Sequence, residues 1–224
     1  MSARPARLIL APLLLAAASA FGGAQKYEPL SAAVRAQLHE SVADTASPRL
    51  AAVSEQEGAA WLAEMSKRLQ RYVQDPRSRE DLLVTVQYEA TRAGLDPQLV
   101  LGLIEIESKF RKYAVSAAGA RGYMQVMPFW VRQIGEPGQN LFNLRTNLRY
   151  GCVVLRHYLD VERGDLFRAL GRYNGTLGNA TYPNRVLRAW ARNWGYGDSR
   201  PAVTRAALET APVKNKAPRV YWDN

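Results

Sequence analysis

The stretch Leu99–Pro128, LVLGLIEIESKFRKYAVSAAGARGYMQVMP, decides how this chain is read. Its first half is apolar with a helical period, since Leu99, Leu103, Ile106 and Phe110 recur on one side. Asp96 before Pro97 is a start signal, a capping side chain followed by the residue that suits the first helical position. The spacing predicts a helix from Pro97 to about Phe110. Glu107 lies three, four and seven residues after Ile104, Leu103 and Val100, which puts its carboxyl on the apolar stripe. Burial there disfavours the charged form, and so does the negative end of the helix dipole. Both effects hold a proton on Glu107 towards neutral pH, which is what a general acid needs. Lys109, Arg111 and Lys112 would oppose this if turned inward, but such long cations are expected to face solvent. Glu105 is two residues away, roughly 200° around the helix, and reads as a peripheral charge.

Working outward, residues 114–123 are small and glycine-rich and predict a tight loop or short hairpin. A short helix is expected to start near Met124 or Pro128 and run to Ile134, with a turn over Gly135 to Gly138. Asn143 to Val161 reads as a long helix with Leu144, Leu148, Cys152, Leu155 and Leu159 in register and Gly151 allowing a close crossing. Asp165 caps a helix bearing Leu166, Leu170 and Tyr173, which ends at Tyr173-Asn174-Gly175. Pro183 opens another through Val186, Leu187 and Trp190. Upstream, Ser78 begins a helix with Leu82, Leu83, Val86 and Ala90 on one side, stopped by Gly94. Ser54 and Glu57 form a capping box ahead of Trp61, Met65, Leu69 and Tyr72, which keep helical spacing up to Pro76. Residues 25–53 are rich in alanine with few large apolar side chains, and predict a loose helix or a disordered spacer. Strand signals are few and no internal repeat is present, so the expected class is all-α, mainly helical.

The 224 residues suit one domain plus extensions, and 47% hydrophobic with 22% charged residues is a globular balance. The formal charge of +10 favours an anionic partner, but charge alone does not choose among nucleic acid, acidic lipid and an acidic wall polymer. Residues 1–20 read as a secretory signal: Arg4 and Arg7, an apolar run from Leu8 to Ala17, then Ala18-Ser19-Ala20, with cleavage after Ala24 or retention as an anchor as alternatives. That run is shorter than the roughly 20 residues a bilayer span needs. Export argues against a nucleic-acid partner. Cys152, the only cysteine, can form no intrachain disulfide and reads as a buried small hydrophobe. His39 and His157 lack metal-ligand spacing, and no phosphate loop or dinucleotide fingerprint occurs, so neither metal nor cofactor is expected. The division is a signal over 1–20, an extension over 21–78 with a helix at 54–75, a catalytic domain over 79–196 and a basic, poorly ordered tail over 197–224.

Glu107-Ser108, then Ala114-Val115-Ser116, then Gly119-Ala120-Arg121-Gly122-Tyr123-Met124-Gln125 with Met127-Pro128, resembles the catalytic signature of lytic transglycosylases with a soluble-lytic-transglycosylase (SLT, lysozyme-like) domain, in order and in spacing. The resemblance covers roughly residues 80–194. It implies a lysozyme-like fold that cleaves the MurNAc–GlcNAc β-1,4 bond of peptidoglycan. Glu107 would be the catalytic residue, acting as acid on the glycosidic oxygen and then as base on the C6 hydroxyl of MurNAc. That route closes a 1,6-anhydro ring with no water and no cofactor. The resemblance puts Ser108 beside the active site, Ser116 in the loop facing the sugar, and Tyr123, Met124 and Gln125 along the groove. Tyr173-Asn174 resembles the start of a Tyr-Asn-Ala-Gly element of the same groove, here Tyr-Asn-Gly-Thr. Tyr182 matches a late family tyrosine that reaches towards the glutamate, although Ala180-Thr181 replaces the usual Glu-Thr. Tyr123 stands where leucine is common. Structural roles compete at several of these: Ser108 as helix closure, Ser116 as a turn residue, Met124 and Tyr173 as core. Two other functions stay open, a hydrolase (muramidase) of the same fold and a non-catalytic glycan-binding module. The expected protein is a periplasmic or secreted monomer acting on peptidoglycan strands.

Overall fold

The computed structural model describes residues 24–43, 46–50 and 54–197. The signal segment and nearly all of the basic tail fall outside the described residues. In chain order the helices are α1 Ala32–Ala43, α2 Glu55–Leu69, α3 Pro76–Arg92, α4 Pro97–Glu107, α5 Phe129–Ile134, α6 Leu144–Val161, α7 Leu166–Tyr173 and α8 Thr181–Ala189, followed by a π-helical turn Trp190–Trp194. Among the described residues the only β-pairing is two isolated antiparallel bridges, Val115 with Arg121 and Arg121 with Val126. The class is mainly helical, as the periodicities predict, and the glycine-rich segment folds as the expected tight loop.

The helix starts follow local chemistry. The Asp96 carboxylate accepts from the backbone N–H of Gln98 at 2.6 Å and of Leu99 at 3.2 Å, satisfying donors that a helix start leaves unpaired. Asp75 does the same for Ser78 at 2.8 Å, ahead of Pro76. The α3 start therefore lies at Pro76 rather than Ser78, through the same Asp-Pro device that opens α4. Ser54, Asn143 and Asp165 cap α2, α6 and α7.

Helix α4 is the centre of the packing. Every residue from Gln98 to Ile104 is buried, the condition of a helix covered on all sides. It crosses α8 and the π-helical turn at Gly102, where a Cβ would stand 2.9 Å from the Trp190 backbone nitrogen. The helix ends at Glu107, three residues before the expected Phe110. Lys109 and Phe110 adopt left-handed backbone with φ of 51° and 59°, a conformation that interrupts a right-handed helix. The Phe110 ring compensates by packing 5.0 Å from Tyr72 and 5.3 Å from Trp194.

Two further expectations change. Residues 32–43, read as a loose helix or spacer, form α1, which buries Leu38 and Val42 and packs on α5 and α6. Arg92 and Arg149 donate to its Ser41 and Val42 carbonyls. Gly151 does not open a helix crossing; it makes room for the Met124 side chain. Cys152 is buried, as expected, and burial pushes its thiol pKa upward.

Candidate active site

The site is built where the end of α4 meets α8 and the loop over 114–127. Glu107 is only 5% exposed. Its one hydrogen-bond donor among the described residues is the Tyr182 hydroxyl, 2.5 Å from Oε1. Burial pushes the Glu107 pKa up to about 8, against a lowering by the Tyr182 hydrogen bond and by the Arg185 charge. Desolvation wins because the carboxyl sits in the apolar centre, while Arg185 is exposed. Tyr182 is also buried, and burial plus the neighbouring Glu107 charge raise its pKa well above the ordinary phenol range, so it remains a hydrogen-bond donor. Arg185, one helical turn after Tyr182, was not singled out in the sequence. Its signal was there, a cation three residues along from the tyrosine on the same helix.

The loop over 114–127 is held by its own backbone and by two amide side chains. Gln125 has left-handed backbone, φ 51°. Its Nε2 donates to the Gly122 carbonyl at 2.9 Å and to the Ala114 carbonyl at 3.1 Å. The side-chain nitrogen expected to meet sugar is thus engaged in fastening the loop. Asn147, on α6, accepts from the Met124 N–H and donates to the Arg121 and Leu141 carbonyls, each at 2.8 Å. Sequence reasoning passed over Asn147. The signal was a lone amide three residues after Leu144 and four before Gly151, on the stripe that faces the core. A Cβ on Gly122 would collide with this same amide and with the Leu141 carbonyl, and its φ is 74°, so glycine is required there.

The other named residues lie in four settings. Met124 is fully buried against Gly151, and Tyr173 is buried with its hydroxyl donating to the Met124 carbonyl at 2.7 Å. Both lie in the core, the structural one of the two roles weighed for each. Ser108 donates to the Ile104 carbonyl at 3.3 Å and caps α4, and Ser116 accepts from the Ala120 N–H at 3.1 Å within the loop turn. Tyr123 is half-buried beside Tyr113, itself 70% exposed, at the outer rim of the loop. Asn174 is buried; its Oδ1 accepts from Thr176, while its Nδ2 has no hydrogen-bond partner among the described residues. Tyr173 links the parts, because it feels the Glu107 charge and holds the Met124 backbone next to Gln125.

Glu105 points away from Glu107, as the helical spacing requires, but it is no loose surface charge. Asn193 Nδ2 and Trp194 Nε1 donate to it at 2.9 and 2.7 Å, tying the π-helical turn to α4. Among the described residues no group of three or more His, Cys, Asp or Glu side chains could hold a metal ion, and no helix is long and apolar enough to cross a membrane.

Residues 85–188 match the family model described as the transglycosylase SLT domain. A protein named "Transglycosylase" from Enterobacteria phage PRD1 is 34% identical over 136 residues, covering 58% of this chain and 49% of the phage protein. The "Membrane-bound lytic murein transglycosylase C" of Histophilus somni strain 2336 is 37% identical over 139 residues, 47% of this chain and 38% of that protein. A protein of the same name from Glaesserella parasuis is 50% identical over 82 residues, 33% of this chain and 22% of that one. The chain spans half or less of the length of these relatives. The matched segment opens within α3, contains Glu107 and the whole loop, and closes on α8 beyond Tyr182. By its sequence match and by the helices that carry it, the segment over residues 85–188 is placed with the transglycosylase SLT domain family.

Proposed function

We propose that this chain is a peptidoglycan lytic transglycosylase that cleaves the MurNAc–GlcNAc β-1,4 bond and leaves 1,6-anhydroMurNAc ends. The single observation that carries this reading is Glu107. It is a buried carboxyl raised to about pKa 8, with a phenol as its hydrogen-bond donor. At neutral pH such a group holds a proton to give. Glu107 protonates the glycosidic oxygen as the C1–O bond breaks. The resulting carboxylate, steadied by the Tyr182 hydroxyl and the Arg185 charge, takes the proton of the C6 hydroxyl. O6 then bonds to C1, and Glu107 regains the proton it began with. Hydrolytic glycosidases commonly use a second carboxylate. Glu105 is engaged with Asn193 and Trp194, and among the described residues no other carboxylate acts on the Glu107 charge. A lone acid suits a reaction in which the sugar supplies its own nucleophile.

Substrate contacts in this reading come from Tyr123, the Ser116 loop, the Gln125–Met127 backbone and the Asn174 Nδ2. Residues 1–20 would export the enzyme to the wall, consistent with relatives that are named membrane-bound murein enzymes. Digestion of purified peptidoglycan by wild type and Glu107→Gln, followed by product masses, tests the proposal. Anhydro ends from wild type and none from the variant are expected. Products one water heavier would make the enzyme a hydrolase, and an active variant would remove Glu107 from the chemistry.

A further inference from the structure

The extended residues ahead of α1 lie across the elements that the proposed function assigns to the glycan. Gln25 is 4% exposed. Its Nε2 donates to the Gln125 carbonyl at 3.1 Å and its Oε1 accepts from the Met127 N–H at 2.8 Å. One primary amide therefore takes both the free acceptor and the free donor on this edge of the loop. Just before it, the Ala24 carbonyl rests on Gly175, where any Cβ would collide with it. Gly175 stands where the Tyr-Asn-Ala-Gly pattern carries alanine, so the chain departs from that pattern at the crossing point. Just after it, Tyr27 packs edge-on to Phe129 at 5.6 Å, and Glu28 receives Arg172 at 3.1 Å and Gln133 at 3.0 Å. These outer contacts lie at exposed positions, where polar contacts are weak, so the segment is held chiefly at Gln25.

The N-acetyl group of an amino sugar presents one N–H and one C=O, the same pair that Gln25 presents. We propose that Ala24–Gln25 is an internal occupant of the substrate's acetamido site, so that glycan strands bind by displacing it. The inference rests on the proposed function, since it takes the glycan as the competitor. A site filled by its own chain binds more weakly in proportion to the fraction of time it stands open.

Soluble, uncrosslinked peptidoglycan strands are titrated into the Glu107→Gln protein and into the same protein with Gln25→Ala or Gln25→Glu added. The first change removes both hydrogen bonds; the second keeps the length but sets an acceptor against the Gln125 carbonyl. Loss of both hydrogen bonds in Gln25→Ala, and of one with a repulsion in its place in Gln25→Glu, predicts an apparent Kd lower by about three- to tenfold in both double variants. Trypsin cutting after the exposed Lys26 is expected to accelerate when strands saturate the Glu107→Gln protein. Equal or weaker binding by both double variants, or cutting that is unchanged or slowed, overturns the inference and makes this segment a fixed wall of the groove. No binding by any of the three proteins overturns the glycan reading itself, so the two failures are distinct.

Discussion

Two carboxyls lie shut away from water in this domain, and they are treated in opposite ways. Glu89 on α3 has no exposed side-chain surface, and its oxygens receive Arg149 at 2.8 Å, Arg92 at 3.2 Å and the Arg145 charge at 3.8 Å. Glu107 on α4 is buried almost as completely, yet among the described residues only a phenol donates to it, and Arg185, whose charge acts on it, is exposed. Burial is the same in both cases; compensation is not. Charge matched by guanidinium groups fastens α3 to α6. Charge left unmatched keeps a proton near neutral pH, which is a chemical capability and a cost to stability at once. Replacing each in turn tests whether the two really divide into strut and acid.

The largest effect is expected at Glu107. Glu107→Gln keeps the shape and an acceptor for Tyr182 but holds no transferable proton. Peptidoglycan cleavage is expected to fall on the order of 10³-fold, with the fold intact by circular dichroism. Next comes Glu89→Ala, which removes the buried carboxylate that three arginines share. Breaking a buried ion pair from one side costs roughly 3–5 kcal/mol, and denaturant titration should show that loss. Such a variant, if folded, keeps its activity per folded molecule. An active Glu107→Gln, or a Glu89→Ala as stable as wild type, would break the contrast.

The pH dependence sharpens it. Glu107 has a folded pKa of about 8 against an ordinary 4.5. Between those values the native state binds the extra proton, so its share of stability is full below about 4.5 and is lost as pH rises to about 8. Glu107→Gln lacks this loss. The Tm difference, variant minus wild type, should grow over that window and level off above it, as measured by calorimetry. Activity should fall on the alkaline side of about 8, where the acid is no longer protonated. A Tm difference that does not change with pH would mean that Glu107 is not held neutral.

The same contrast shows what a sequence can disclose. Asp96, Pro97 and the stripe leading to Glu107 are local signals, and local physics starts the helix there. Where that helix stops is not local, because Lys109 and Phe110 hold left-handed backbone while Phe110 packs on Tyr72 and Trp194, far along the chain in both directions. The Asp75 cap was legible by the rule already applied at Asp96. Helix α1 was hardly legible, for it buries only Leu38 and Val42 and is held by arginines that reach its carbonyls. At the site, the carboxyl's position followed from helical spacing. The fastening role of the Gln125 amide depends on a left-handed backbone that no pattern of side chains announces.

Tyr182→Phe is expected to have the smallest effect, and its two consequences run in opposite directions. The hydroxyl favours the charged form of Glu107, so losing it raises the Glu107 pKa further and moves the alkaline limb of activity to higher pH. It also removes the donor that steadies the carboxylate once the proton has left. Activity at neutral pH should therefore drop by roughly tenfold, about the worth of one hydrogen bond to a charged group. Tm at neutral pH should fall only slightly, because the partner left behind is then mostly a neutral acid. If the alkaline limb stayed in place, Tyr182 would be packing beside Glu107 without tuning it. If the limb moved down, the phenol would be favouring the protonated acid, and Arg185 would be the group left to favour the Glu107 charge.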